Sequence, residues 1–168
     1  MRENIYMQKA LELANKAGNE GEIPVGCVIV KDGEIIAEAH NTVEKMHCPT
    51  CHAEINAINT ASTKVGKFLT DCDMYVTLEP CPMCTGAIIN SRIRRLYIGA
   101  PDSKTGCCGS NLDIITKQHF NHHVEVYHGI MESKCSELIS DFFKKIRNDA
   151  EKSVSFLFYL EIITQTEV

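Results

Sequence analysis

No apolar run in this 168-residue chain approaches the ~20 residues that a membrane-spanning helix needs, which argues against a membrane protein. The opening Met1-Arg2-Glu3-Asn4 lacks the basic-then-apolar character of a secretion signal, so a cytoplasmic location is expected. Internal repeats, linkers and low-complexity tracts are missing too, and the length matches a single domain rather than two. A strong charge excess is also lacking. The 17 Lys and Arg against 22 Asp and Glu leave a net charge of -5, which argues against nonspecific nucleic-acid binding. The charge is uneven, however: residues 1 to 84 hold 7 basic against 12 acidic side chains, and residues 85 to 168 hold 10 of each. The second half therefore has room for a local basic patch. A mean hydropathy of -0.12, with 44% hydrophobic and 23% charged residues, is that of an ordinary globular chain.

Cysteine is plentiful instead. Nine are present, at 27, 48, 51, 72, 81, 84, 107, 108 and 135, and an odd number excludes a fully paired disulfide framework. In a reducing compartment, close cysteine pairs point to metal or catalysis before disulfides. Three such pairs occur: Cys48 with Cys51, Cys81 with Cys84, and Cys107 with Cys108. Cys27 and the last pair read as small buried residues.

Apolar spacing through Ile5, Leu11, Leu13, Ala14 and Ala17 predicts a helix over 4 to 19, stopped by Gly18 and Gly21. The runs 25 to 30 and 35 to 39, joined by Lys31-Asp32-Gly33-Glu34, predict a hairpin. A loop is expected over 41 to 50. A helix over 52 to 61 follows, with His52 in its first turn. Strands are expected over 73 to 78, 95 to 100 and 124 to 127, with a helix over 83 to 90 that has Pro82 at its first position. A closing helix over 131 to 147 presents Cys135, Leu138, Ile139, Phe142 and Ile146 as its core stripe. Strands alternating with helices after a hairpin predict an α/β sandwich on a mixed sheet. Phe156 to Ile163, too short to span a bilayer and too apolar for a free tail, is expected to pack as an added element.

The chemistry concentrates in Cys51-His52-Ala53-Glu54 and in Leu78-Glu79-Pro80-Cys81-Pro82-Met83-Cys84. H-x-E followed by P-C-x-x-C is the signature of zinc nucleobase deaminases, of which the tRNA-acting enzymes are the familiar example. One imidazole and two thiolates, from His52, Cys81 and Cys84, give a zinc ion three protein ligands and leave the fourth tetrahedral position for water. The metal lowers the pKa of that water towards neutrality, making hydroxide available as the nucleophile. Glu54, two residues after His52, is placed to carry the water proton to the ring nitrogen and the departing amine. A competing pattern joins Cys48 and Cys51 to Cys81 and Cys84 as a closed structural site, a noncatalytic zinc-stabilised module. Its 29-residue gap exceeds the 15 to 20 of zinc ribbons and it leaves Glu54 without a role. Cys48 and Cys51 otherwise read as stray ligands or redox-sensitive neighbours.

From about Asn4 to Arg147 the chain resembles the bacterial tRNA-specific adenosine deaminases of the cytidine deaminase-like superfamily. The resembling stretches are Glu22-Ile23-Pro24-Val25-Gly26, His52-Ala53-Glu54, Val76 to Cys84, Ser91-Arg92-Ile93, Gly99-Ala100, Asp102 to Gly106, Asn121-His122, and Leu138 to Phe143. The resemblance implies a three-layer α/β/α sandwich around a mixed five-stranded sheet, with a deaminase domain over 1 to 150 and a C-terminal extension over 151 to 168. It implies conversion of the wobble adenosine of an arginine tRNA to inosine, one Zn2+ per chain, and a homodimer in which Met83, Ile88 and Ile89 contribute to a two-fold interface. Asn41, Ala53, Asp102 and Lys104 would bind substrate, and Arg92, Lys144 and Arg147 would face the RNA. An anticodon loop offers unstacked bases to such a pocket without any duplex to open. The Cys81 box and His52-Ala53-Glu54 are shared with guanine and cytosine-nucleotide deaminases, which form the alternative. Cys48 and Cys51 depart from the family, which commonly has Asp and Ala there.

Overall fold

β-Branched and apolar alternation organises the sheet. β1 (Gly26–Lys31) and β2 (Glu34–His40) form an antiparallel hairpin about Asp32 and Gly33. Their φ values are 51° and 85°, the positive pair that a two-residue turn between twisted strands requires. β3 (Cys72–Leu78), β4 (Arg95–Ala100) and β5 (Glu125–Tyr127) complete the order β2-β1-β3-β4-β5. β1 is antiparallel to β3, whereas β3, β4 and β5 are mutually parallel. Parallel neighbours need crossovers, and these are α4 (Pro82–Asn90) between β3 and β4 and α5 (Ile114–Lys117) between β4 and β5. The structure, a computed structural model, describes the backbone of residues 2–117 and 120–165 and the side chains of 4–117 and 120–151.

The pleat sends alternate side chains to opposite cores. Cys27, Ile29, Met74, Val76, Leu96 and Ile98 pack against α3 (Ala53–Val65), α4 and α5. Val28, Val30, Tyr75 and Tyr97 pack against α1 (Arg2–Asn19) and the start of α6 (Glu132–Gln165). This is the expected three-layer mixed-sheet sandwich. On the second face Tyr6, Tyr75, Tyr97 and Tyr127 stack in a row, with ring centroids 5.1, 4.4 and 4.8 Å apart. The last two stacks follow from register, since Tyr75 pairs with Tyr97 and Tyr97 with Tyr127 across the parallel strands.

Several expectations need correction. Ile5 is 67% exposed, and Met7 and Ala10 take the core positions of α1 instead. The 41 to 50 loop contains a one-turn helix, α2 (Val43–Met46), and α3 continues to Val65 rather than ending at 61. α6 continues to Gln165, well past Arg147, because no Gly or Pro interrupts it. Its stripe is not all core: Ile146 is exposed and Phe142 is half-buried, and the neighbouring Phe143 is exposed as well. Ile88 and Ile89 are buried inside this chain against the sheet, so they cannot supply a subunit interface as expected; only Met83 of that trio is partly exposed. The side chains of Phe156 to Ile163 lie outside the described residues. Among the described residues no helix is long and apolar enough to cross a membrane.

α1 lies so close to β1 that a Cβ on Gly26 would collide with the Ala10 carbonyl and come within 2.7 Å of the Ala14 nitrogen. Nothing stands within 4 Å of a Cβ on Gly86, inside α4. Gly26→Ala is therefore expected to destabilise by ~3 kcal/mol, lowering Tm by several degrees. Gly86→Ala should instead raise Tm slightly, by the ~1 kcal/mol that separates Gly from Ala in a helix. Thermal denaturation of the two variants checks the contrast.

Candidate active site

Two helix N-termini converge beyond the end of β3. His52 is the N-cap of α3, not a first-turn residue, with extended φ and ψ of -70° and 155°. Cys81 is the N-cap of α4, at -71° and 174°, and Pro82 occupies the first helical position, where its missing N–H costs nothing. His52 makes no side-chain capping bond to α3, and Cys81's bonds within α4 are to Cys84. Both turn towards each other. His52 Nδ1 lies 3.7 Å from Cys81 Sγ and 3.5 Å from Cys84 Sγ, and the three ligand atoms all fall within 4.8 Å of one another.

This donor set fits zinc. With ordinary Zn–N and Zn–S bonds at tetrahedral angles, an imidazole nitrogen and a thiolate on one ion stand about 3.6 Å apart. The two N···S distances bracket that value. Helix N-termini also favour thiolates, because their unpaired N–H groups carry partial positive charge. A hydrogen bond from Cys84 holds the Cys81 thiol down to about 4, helped by His52. The same bond, with burial, pushes Cys84 up, and the Cys81 contact raises His52. Cys48 and Cys51 do not join the group, so the four-cysteine site is not assembled; His52, Cys81 and Cys84 are the only such cluster among the described residues. All nine cysteines are free.

Glu54 is 4% exposed in the first turn of α3, and burial pushes its carboxyl above the ordinary value, with Cys81 adding to the rise. It is in hydrogen-bonding contact with Cys84 and reaches the same cleft as His52 and Cys81. That cleft measures about 810 Å³. Its walls are the 21 to 25 segment and Asn41 on one side, Pro101 to Thr105 on another, and Ile139, Phe142, Phe143 and Ile146 of α6 on the third.

The model of the cytidine and deoxycytidylate deaminase zinc-binding region matches residues 1–100. A tRNA-specific adenosine deaminase from Aquifex aeolicus is 44% identical over 150 residues, 89% of this chain and 99% of that protein. One from Bacillus subtilis is 42% identical over 147 residues, 87% and 91%. The chain belongs to the tRNA-specific adenosine deaminase family. A solved structure from a study of A-to-I editing by tRNA:A34 deaminases at the wobble position superposes with a TM-score of 0.76 at 41% identity, covering 79% of this chain and 97% of that one.

In this tRNA-specific adenosine deaminase family member, two buried carboxylates shape the cleft, and neither has an expected role in the sequence reading. Glu22, fully buried, accepts the Asn41 side-chain amide at 3.1 Å and the backbone N–H groups of Glu44 and Lys45 at 3.2 and 2.8 Å. It thus fixes Asn41 and closes the N-terminus of α2 together. Glu79, 2% exposed, accepts the backbone N–H groups of Asp102, Cys108 and Ser110 at 3.1, 2.8 and 3.1 Å. Burial opposes its charge, but these bonds outweigh burial and hold its carboxyl below the ordinary value. A Cβ on Gly106 would stand 2.6 Å from Glu79 Oε2, so the loop can wrap this carboxylate only with glycine there. A detectable signal existed for Glu79, which stands between Leu78 and Pro80, where a solvated charge is out of place; Glu22, between Gly21 and Ile23, carries a weaker one.

The other expected residues divide. Asn41, Asp102 and Lys104 line the cleft, and Asp102 accepts the backbone N–H groups of Lys104 and Thr105 at 2.9 and 3.1 Å. Ala53 does not line it: at the first position of α3 its methyl is buried with Ala57 and Ala61 in the core. Arg92 stands at the far end of α4, its guanidinium 4.1 Å from the Phe68 ring centroid and away from the cleft. Lys144 pairs with Asp141 at 3.1 Å, and both it and Arg147 are exposed beside the cleft-lining turn of α6. Cys27, Cys107 and Cys108 are buried, as expected.

Metal analysis checks the ligand set. The Cys48→Ser/Cys51→Ser protein is expected to retain about one zinc per chain, and His52→Ala to lose it; the opposite pattern would relocate the site.

Proposed function

We propose that this chain hydrolyses the 6-amino group of the wobble adenosine in a tRNA anticodon loop, an arginine tRNA among its substrates, leaving inosine and releasing ammonia. The observation that carries this reading is identity of 42 to 44% over nearly the whole length of proteins named for that activity. The cleft supports it: aromatic Phe142 and Phe143 on one wall offer surfaces for unstacked bases, and Lys104 on another offers a cation for phosphate. The acidic first half need not meet the RNA.

His52, Cys81 and Cys84 would hold one zinc ion per chain, which when bound activates a water for attack at neutral pH. Glu54 takes a proton from the attacking water and delivers it to the ring nitrogen, and then supports departure of the amine as ammonia. Its burial beside these ligands keeps the carboxyl within reach of both protonation states. Asn41, held by Glu22, is positioned to hydrogen-bond the adenine edge. Asp102, with its loop pinned by Glu79, stands beside the target nucleotide's backbone. Lys104 holds the anticodon loop, and Lys144 and Arg147 extend the basic side along α6. Arg92, at the far end of α4, reaches only RNA lying beyond the cleft. The enzyme works in the cytoplasm as a homodimer, with residues 151–168 outside the deaminase domain of 1–150.

Glu54→Ala is expected to keep the fold and the zinc while losing at least ~100-fold in turnover. Bulk tRNA, free guanine, deoxycytidylate and cytidine, each assayed for ammonia and the first also for inosine, separate this function from the small-molecule alternatives; release from guanine alone would reverse the assignment.

Sedimentation equilibrium at micromolar concentration should report about twice the 18.8 kDa chain mass. A stable monomer that deaminates tRNA would remove the dimer from the proposal.

A further inference from the structure

We propose that Cys48 and Cys51 form a redox-active thiol pair, a modification site beside the metal ligands whose disulfide form slows the enzyme. The deaminase function does not use these residues. Of the three close cysteine pairs, Cys81 and Cys84 belong to the metal cluster, and Cys107 and Cys108 are buried at 0% and 2% exposure. Cys48 and Cys51 are half-exposed and uncommitted.

The backbone presents the two thiols to each other. Cys51 N–H donates to the Cys48 carbonyl at 3.1 Å, closing a β-turn with Pro49 and Thr50 at its centre. Proline suits the first central position of such a turn, which brings the outer Cα atoms within about 7 Å. A disulfide spans Cα atoms about 4.4 to 6.8 Å apart, so no large backbone movement stands in the way. The Cys48 thiol is in hydrogen-bonding contact with Cys51 and lies 3.3 Å from Thr50 Oγ1. The Cys51 contact pulls Cys48 down to about 7, so it carries substantial thiolate near neutral pH.

The oxidant is hydrogen peroxide. The Cys48 sulfur attacks one peroxide oxygen, the O–O bond breaks, and the departing oxygen leaves as water, giving a sulfenic acid. The Cys51 sulfur then attacks the Cys48 sulfur. The S–S bond forms, the S–O bond breaks, and a second water leaves. Two thiols have lost two electrons and the peroxide has gained them. A dithiol reductant reverses the change by exchange.

Both ends of the turn are tied to the cleft. Cys48 N–H donates to the Val43 carbonyl at 3.0 Å, and Val43 and Glu44 line the cleft. The Cys51 carbonyl accepts the Thr42 N–H at 3.1 Å and the Asn56 amide at 3.2 Å, and Cys51 is bonded directly to His52. Closing the sulfurs to the ~2.05 Å of a disulfide tightens this turn and pulls on α2 and on the segment leading to His52. A displacement near 1 Å at a reacting group costs up to ~100-fold in rate.

The test treats the zinc-loaded full chain with near-stoichiometric hydrogen peroxide, then maps thiols by mass spectrometry and measures zinc content and tRNA deamination. The expected result is a Cys48–Cys51 disulfide with zinc retained, turnover down about tenfold or more, and recovery with dithiothreitol. Cys48→Ser should keep its turnover at the same dose. Absence of that disulfide, release of zinc before it forms, or a disulfide with unchanged turnover would each overturn the proposal. Only the activity arm rests on the deaminase reading: thiol mapping and zinc content are independent of substrate, and a reduced enzyme inactive on tRNA would count against that reading instead.

Discussion

Bringing one imidazole and two thiols from sites 29 and 32 residues apart to 3.7 and 3.5 Å is the constraint on which the rest of the molecule depends. Two helices must point their N-termini at one spot, and this requires α3 and α4 to lie side by side on the same face of the sheet. The parallel pairing of β3 and β4 requires a crossover, and α4 is that crossover. α3 lies beside it through Ala53, Ala57 and Ala61, small residues that are all fully buried and let the helix settle closely into the core. The packing therefore sets the metal geometry as much as the ligands do.

Three buried carboxylates then take different roles because their surroundings differ. Glu22 accepts two backbone N–H groups and one side-chain amide; Glu79 accepts three backbone N–H groups. Both spend their oxygens on holding loops, and at Glu79 these bonds hold the carboxyl below its ordinary value. Glu54 stands instead among the thiols and the imidazole, where burial raises its carboxyl and leaves it suited to exchange protons. One residue type thus supplies two braces and one buried carboxyl raised above its ordinary value. The braces stand on opposite sides of the cleft, one behind Asn41 and the other behind Asp102, so these cleft-lining side chains are fixed from behind by the protein rather than by solvent.

The elements that could be read along the chain were those dictated by local physics. Apolar and β-branched runs bounded by turn residues marked five strands within a residue or two of their ends, and Pro82 marked the start of α4. The Asp32-Gly33 turn was legible because its positive φ values need such residues. What was not legible involved competition between distant surfaces. Ile5 has the helical spacing of a core residue yet is exposed, whereas Met7 and Ala10 meet the sheet, because the direction from which α1 is covered is a tertiary matter. Ile139, Phe142 and Ile146 have equally good core spacing, but α6 runs along the edge of the cleft and leaves that stripe lining it. Ile88 and Ile89 went the other way, into the core rather than to a partner.

The His52, Cys81 and Cys84 donor set was legible from sequence alone, because zinc chemistry demands particular atoms and H-x-E with P-C-x-x-C encodes them at helix starts that local capping rules can find. The roles of Glu22 and Glu79, the distance of Arg92 from the cleft and the isolation of Cys48 and Cys51 from the metal cluster were decided only by the tertiary structure. Each depends on which backbone N–H groups or rings arrive from elsewhere in the chain: Glu79 is defined by donors 23 to 31 residues away, and Arg92 by Phe68, which precedes β3 and α4 in the chain. A carboxylate has the same formula whether it braces a loop or moves a proton; the neighbours delivered by folding make the difference.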